Sequence, residues 1–105
     1  MIYDVRTYRC RPGTIRKQLT LYGEHGYDIQ RRHLGDPVVF GSVETGDVNS
    51  YIHIWAYEDA ADRAEKRKSM ASDPDWQAYL AKSAAAGNLV SQENTIVVSA
   101  PFIAG

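Results

Sequence analysis

Two short segments of this chain carry side chains that could act on a small molecule. In the first, Asp4, Arg6 and Tyr8 alternate with other residues, a spacing that places all three on one face of a β-strand. In the second, His53 lies in another alternating run. Histidine suits proton transfer near neutral pH because its unperturbed pKa is about 6.5. The other residues on that face of the run are aromatic: Tyr51, Trp55 and Tyr57.

These residue types favour a site for a small polar or aromatic metabolite. His53 would serve as general base or acid, and Arg6 would hold an anionic group or an enolate oxygen. The residues predicted to line the pocket and bind the substrate are Asp4, Tyr8, Tyr51, Trp55 and Tyr57. The sequence leaves three interpretations open: catalysis, ligand binding without chemistry, and a set of residues that only builds an interface.

The sequence gives little support for a metal site, a phosphate-binding loop or a disulfide. His25 and His33 are eight residues apart on a predicted helix, and this separation is too large for one metal ion without further ligands. Pro12-Gly13 lacks the spaced glycines and the lysine of a phosphate-binding loop. The single cysteine, Cys10, has no internal disulfide partner and is predicted to be a free thiol. We therefore expect no metal and no cofactor.

The elements that position these side chains follow from hydrophobic periodicity and from the placement of glycine and proline. In chain order, the sequence predicts a strand over 2–9, a helix over 15–34 that bends near Gly26, strands over 38–44 and 50–57, a helix over 58–71, a helix from Asp73-Pro74 to Gly87, and a strand over 89–98 with a bulge at Glu93-Asn94. The last helix is expected to bury Trp76, Tyr79 and Leu80.

This order of elements predicts an α+β fold. Two right-handed strand–helix–strand crossovers interleave to give one four-stranded antiparallel sheet with the helices on one side. The first and third strands then lie side by side at the centre of the sheet. A chain of 105 residues fits one domain over residues 1–105.

The two faces of this sheet are expected to differ. The predicted helix-facing residues are Tyr3, Val5, Ile52, Ile54 and Ala56. The candidate site residues would then lie on the open face of the sheet. Four aromatic rings on the central strands of a solvent-exposed face are unusual. A second copy of the sheet is the simplest cover for such a surface. The sequence therefore predicts a homodimer whose facing sheets enclose the site.

A run of charged residues on the helix over 58–71 is predicted to be solvated surface, with Ala61, Ala64 and Ala71 beneath it. As an alternative to an enzyme, the protein would be a non-enzymatic dimeric scaffold or a protein-interaction module. Arg63 to Lys68 would then form the contact surface.

Charge and hydrophobicity argue against some classes of partner and some cellular compartments. The net charge is −1 with a pI near 6.3, which argues against nucleic acid because phosphate binding usually requires a basic excess. The sequence contains no apolar stretch that approaches the roughly 20 residues needed to span a bilayer. The N-terminus lacks the features of a signal peptide. We therefore expect a cytoplasmic protein with no membrane association.

Four segments of the sequence resemble the NIPSNAP family. The first strand with its alternating acid, arginine and tyrosine matches the family's start, and His53, Trp55 and Tyr57 match its His-x-Trp-x-Tyr strand. The other two matching segments are Asp73-Pro74-Asp75-Trp76 and the C-terminal strand from Gln92 to Phe102. Together the four segments cover nearly the whole chain.

This resemblance implies a ferredoxin-like fold of the dimeric α/β-barrel superfamily. The family has no settled chemistry, but relatives with this fold include cofactor-independent monooxygenases, polyketide cyclases, dehydratases and haem-degrading enzymes. The haem enzymes use a helix histidine as axial ligand. His25 and His33 are the only residues this chain could offer for that role, and neither lies in a matching motif.

Overall fold

The computed structural model of the chain describes residues 1–103. Within these residues the elements are β1 (Ile2–Cys10), α1 (Ile15–His25), α2 (Tyr27–Leu34), β2 (Val39–Ser42), β3 (Ser50–Tyr57), α3 (Ala60–Ala71), α4 (Pro74–Ala86) and β4 (Leu89–Val98). The strands form one antiparallel sheet in the order β2-β3-β1-β4. The predicted α+β ferredoxin-like fold is confirmed, with β1 and β3 at the centre of the sheet.

Glycine and capping residues divide the helices as the sequence predicts. The first helical region breaks at Gly26, where an added Cβ would lie 2.9 Å from the ring of Tyr79. The absence of a side chain at Gly26 therefore lets α4 pack against the bend. Asp73 caps α4, since its carboxylate accepts a hydrogen bond from the backbone N–H of Asp75. Gly87 ends α4 in the left-handed conformation, with φ of 64°.

Two predicted details of the strands are wrong. Strand β2 covers only Val39–Ser42 and so is shorter than the predicted 38–44. Strand β4 pairs with β1 in continuous register through Glu93 and Asn94, where a bulge was expected. The register shift of this pair lies instead between Arg9 and Cys10.

The prediction of which sheet face the helices cover is also wrong. Tyr51, His53, Trp55 and Tyr57 are at most 1% exposed. Tyr22 of α1 packs edge-on against Tyr51, so this face lies under the helices. Aromatic rings bury more area than aliphatic side chains, which makes the aromatic face the better partner for a helix layer.

The predicted helix-facing set lies on the opposite, uncovered face of the sheet. It comprises Tyr3, Val5, Ile52, Ile54 and Ala56, all partly exposed. A homodimer that covers the aromatic face, with a site between two sheets, is therefore excluded by the packing of the chain's own helices.

Helix α3 is rotated relative to the prediction. Ala61 and Ala64 are exposed, whereas Arg63, Lys66 and Arg67 are partly buried. The charged run is therefore not simply a solvated surface, because part of it points towards the sheet.

The core between sheet and helices is largely aromatic. Its buried residues are Tyr22, Leu34, Trp55, Tyr57, Met70, Trp76 and Tyr79. Leu80, which was predicted to be buried beside Trp76 and Tyr79, is 48% exposed. Among the helices of residues 1–103, none is both long enough and apolar enough to cross a lipid bilayer.

Candidate functional site

All seven predicted site residues lie on the helix-facing side of the sheet, in rows that run across the strands. One row aligns Phe40, His53, Arg6 and Asn94. The adjacent rows pair Trp55 with Asp4, and Tyr51 with Tyr8; Tyr57 lies at the end of the same face. The structure thus brings the predicted residues together, but in the layer between sheet and helices.

Asp4 is the centre of a buried charge cluster. Its side chain is fully buried, and its Oδ2 accepts hydrogen bonds from Arg6 Nη1 at 3.2 Å and from Arg63 Nε at 3.1 Å. Its Oδ1 accepts a third from Asn94 Nδ2 at 3.2 Å. Burial alone would raise the pKa of Asp4, but these partners outweigh it and hold the pKa below its usual range. Asp4 is therefore a fixed carboxylate that orients two guanidinium groups.

Arg6 connects this cluster to the aromatic part of the site. Its Nε donates to the hydroxyl of Tyr8 at 3.0 Å, while its Nη1 bonds Asp4. The Arg6 side chain is 14% exposed, so the guanidinium lies at the edge of the buried layer. From this position it reaches both solvent and the buried groups beside it.

His53 is held in one tautomer by its neighbour on the strand. The indole Nε1–H of Trp55 donates to His53 Nδ1, and an indole nitrogen can only donate. The proton of the neutral imidazole is therefore on Nε2. That nitrogen is buried and has no hydrogen-bond partner among the described residues. Stacking between Tyr8 and Phe40, with ring centroids 5.0 and 4.7 Å away, fixes the plane of the ring.

The low pKa of His53 argues against the predicted acid–base role near neutral pH. Burial, reinforced by the positive charge of Arg6, lowers this pKa to about 3. The ring is therefore neutral at physiological pH and would be a weaker base than the sequence suggests. What it offers is a fixed N–H donor.

The structure adds residues to the site that sequence reasoning missed. Arg63 and Arg67 are one turn apart on α3, and Arg67 lies close enough to lower the pKa of His53. Burial raises the pKa of the Tyr57 hydroxyl, although Arg67 opposes the shift. The Tyr57 hydroxyl is buried, and Arg67 lies within reach of it. The four-residue spacing of the two arginines is the sequence signal that could have revealed them.

A second buried polar network lies at the other end of the same face. Gln18 of α1 donates from Nε2 to the hydroxyl of Tyr51 at 3.5 Å and to Ser83 Oγ at 3.3 Å. Its Oε1 accepts from Asn88 Nδ2 at 3.3 Å. Tyr51 is therefore anchored to α1 and α4, and its role here is to hold the helices on the sheet.

The two helix histidines lie outside this site. His33 Nε2 is 2.7 Å from Asp73 Oδ2 and its Nδ1 is 3.2 Å from Ser69 Oγ, which ties α2 to α3 and to the start of α4. His25 is exposed beside Glu24. Within residues 1–103, no three His, Cys, Asp or Glu side chains are grouped as a metal site.

Comparison with known sequences identifies the family. A sequence model described as NIPSNAP matches residues 3–104. The chain belongs to the NIPSNAP family. Protein NipSnap homolog of Dictyostelium discoideum is 29% identical over 97 residues, 92% of this chain and 42% of the relative. Protein NipSnap homolog 3A of Homo sapiens is 32% identical over 78 residues, 73% of this chain and 31% of the relative. The NIPSNAP chain thus spans less than half the length of these relatives.

Solved structures support the same assignment. An uncharacterised NIPSNAP domain protein from Burkholderia xenovorans superposes with a TM-score of 0.91 at 30% identity over the full length of both chains. A NIPSNAP family protein with unknown function from Agrobacterium tumefaciens gives 0.88 at 37% identity, covering 98% of this chain and 91% of that one. An antibiotic biosynthesis monooxygenase gives 0.66 at 14% identity, covering 96% of this chain and 100% of that one, a likeness of fold alone.

The segments by which the chain resembles the NIPSNAP family have two different roles. The first strand and the His-x-Trp-x-Tyr strand supply the buried polar layer. The Asp-Pro-x-Trp segment is structural, since Asp73 caps α4 and Trp76 packs in the core.

Proposed function

We propose that this NIPSNAP domain binds a small organic anion, of carboxylate or enolate type, in the layer between sheet and helices. The observation that carries the proposal is the buried, unpartnered Nε2–H of His53 beside Arg6. A buried donor without an acceptor costs about 1–3 kcal/mol, and native structures normally supply a partner. An anionic oxygen is the acceptor that these neighbours favour most.

The charge balance of the site supports an anion. Two guanidinium groups, on Arg6 and Arg63, bond the carboxylate of Asp4, and a third, on Arg67, lies near His53. Arginine binds carboxylates through paired N–H groups in a fixed plane. Because Asp4 shares its charge between two arginines, the cluster retains positive charge for a ligand.

The same donors favour one class of chemistry if the domain is an enzyme. A neutral imidazole N–H and a guanidinium can stabilise negative charge that develops on a carbonyl oxygen. His53 and Arg6 would then act together on an enolate without a cofactor, and Tyr8, Trp55 and Tyr57 would shape the surroundings. Catalysis by this route is the second candidate, and ligand binding is common to both.

The proposal is tested by titrating the protein with acetate and benzoate while recording the NMR signals of the His53 ring. Binding should shift the Nε2–H signal, and Arg6→Gln should weaken the affinity by at least about tenfold. Arg9→Gln is the matched control, because Arg9 lies on the opposite face of β1 and pairs with Asp47. If neither carboxylate shifts the His53 signals, or if both variants behave alike, the anion site is wrong.

We also propose that the domain is a homodimer, formed through the uncovered sheet face. Tyr3, Val5, Ile52 and Ile54 form an apolar surface there, and Val97 of the edge strand is 45% exposed. An antiparallel sheet normally keeps such a face against a core. A second copy offers the same surface and can pack sheet against sheet under two-fold symmetry.

Sedimentation velocity at micromolar concentration tests the dimer. The wild type should sediment as a dimer, and Ile54→Glu should shift it to a monomer. Thr45→Glu, in the exposed hairpin turn, is the control and should leave the dimer intact. A wild-type monomer would contradict the proposal.

The scaffold alternative predicts a dimer with no ligand, so these two experiments separate it from the anion site. Fewer charged groups on α3 are free to contact a protein partner than the scaffold alternative predicted, because Arg63 is bonded to Asp4 and Lys66 to Asp62. The cytoplasmic location stays a prediction from the sequence.

A further inference from the structure

A cavity of about 330 Å³ opens beside the site, between the helices and the edge of the sheet. It is lined by Leu19, Tyr22, Gly23, Tyr27 and Phe40. Its size and apolar, aromatic lining are typical of small-molecule sites. Two of the lining side chains also touch the proposed site, because the rings of Phe40 and Tyr22 lie 4.7 and 5.9 Å from the ring of His53.

Gly23 is the unusual member of this lining. It lies inside α1, where glycine is a poor helix former. An added Cβ at Gly23 would meet no other atom within 4 Å, so packing within the chain does not require a glycine there. Gly26, by contrast, is required by the ring of Tyr79. The missing side chain at Gly23 leaves the cavity open.

A further observation at the cavity is the hydroxyl of Tyr22. The side chain is 4% exposed, and its hydroxyl is buried without a partner among the described residues. Burial raises the pKa of this hydroxyl, so it stays protonated and can both donate and accept a hydrogen bond. The Tyr22 ring thus brings a second buried polar atom close to His53.

We infer that this cavity binds the aryl group of the ligand whose anionic group is held at Arg6 and His53. Phe40, His53 and Arg6 are aligned on three adjacent strands, so the Cα atoms of Phe40 and Arg6 are two strand spacings, about 10 Å, apart. The ligand class is therefore an aryl-substituted carboxylate with a short linker between ring and charge. This inference rests on the proposed anion site and adds a specificity for ligands that carry an aryl group.

The probes are acetate, 3-phenylpropionate and benzyl alcohol, which carry the charge alone, both groups and the ring alone. Calorimetry should show 3-phenylpropionate binding about tenfold or more tightly than acetate, because the ring leaves water. Gly23→Leu should abolish this advantage and leave acetate binding unchanged. The Tm of Gly23→Leu should not fall, since leucine is a better helix former than glycine.

Thr20→Leu is the matched control, since it adds the same bulk to an exposed position of α1 that does not line this cavity. Equal binding of both carboxylates, unaffected by Gly23→Leu, would overturn the aryl subsite and leave the anion site standing. Binding of benzyl alcohol alone, sensitive to Gly23→Leu, would keep the cavity and overturn the anion site. If none of the three probes binds, both are wrong.

Discussion

The low pKa of His53 makes a quantitative prediction about how stability depends on pH. The ring is buried between Tyr8 and Phe40 and lies near Arg6, so the folded protein resists protonating it. In the unfolded chain the same imidazole is free to bind a proton. Lowering the pH below the unfolded pKa therefore favours unfolding.

The size of the effect follows from the two pKa values. The pKa is about 3 in the folded state and 6.5 for the free side chain. Above about pH 6.5 the ring is neutral in both states and contributes nothing. Between the two values only the unfolded chain binds the proton, and the loss of stability at about pH 5 is about 2 kcal/mol. For a domain of this size, that lowers the Tm by roughly 8–15 °C.

Urea unfolding at about pH 7 and about pH 5 measures this loss directly. His53→Gln has no titrating group at this position and keeps an acceptor for Trp55, so its stability should change less between the two pH values. His25→Gln removes an exposed histidine outside the site and is the control, which should lose about as much stability as wild type. If His53→Gln and wild type lose the same stability on acidification, His53 is not the buried neutral group described above.

Three substitutions test the packing of the site and the helices, each by chemical denaturation. Asp4→Asn should cost about 2–4 kcal/mol of folding stability, because it leaves two guanidinium groups unpaired. The control Asp47→Asn, at an exposed ion pair, should cost under about 1 kcal/mol. Equal losses in the two variants would refute the buried cluster. Gly26→Ala should destabilise the protein by about 1–3 kcal/mol through overpacking against Tyr79. Gly23→Ala should stabilise it by up to about 1 kcal/mol. The reverse order would contradict the packing of Tyr79 against Gly26. Tyr57→Phe removes a buried hydroxyl whose contact with Arg67 falls short of full hydrogen-bond geometry, and it should cost under about 1 kcal/mol. A larger loss would show that Arg67 forms a full hydrogen bond with this hydroxyl.

The fold could be predicted from local signals in the sequence. Alternation with period two marks β1 and β3, and Gly26, Gly35 and Gly87 mark the ends of helices. Each of these signals depends on residues only a few positions apart, so it can be recognised without knowing the tertiary structure. The grouping of the site residues was predictable for the same reason, because alternation shows which residues share a face.

Alternation does not show which of the two faces a helix layer will cover. Both faces of β3 are apolar, one aromatic and one aliphatic, and the choice depends on what the helices present. Here α1 presents Gln18 and Tyr22, which pair with Tyr51 and pack against His53. Those contacts join residues about thirty positions apart, and no local pattern encodes them.

The chemistry of the site depended on that choice of face. On an open face His53 would keep a pKa near neutral and could transfer protons. Under the helices, burial and Arg6 lower this pKa and favour the role of a fixed donor. Arg63 was missed for a related reason, because it meets Asp4 across 59 positions of the chain, beyond the reach of a local pattern.

The most direct test of the anion site is the ¹⁵N NMR spectrum of the His53 ring at about pH 7, with and without 3-phenylpropionate. The structure predicts a neutral ring with its proton on Nε2 and an unprotonated Nδ1, and a shift of the Nε2–H signal when the carboxylate binds. A proton on Nδ1, a charged ring, or a spectrum unchanged by the carboxylate would contradict it.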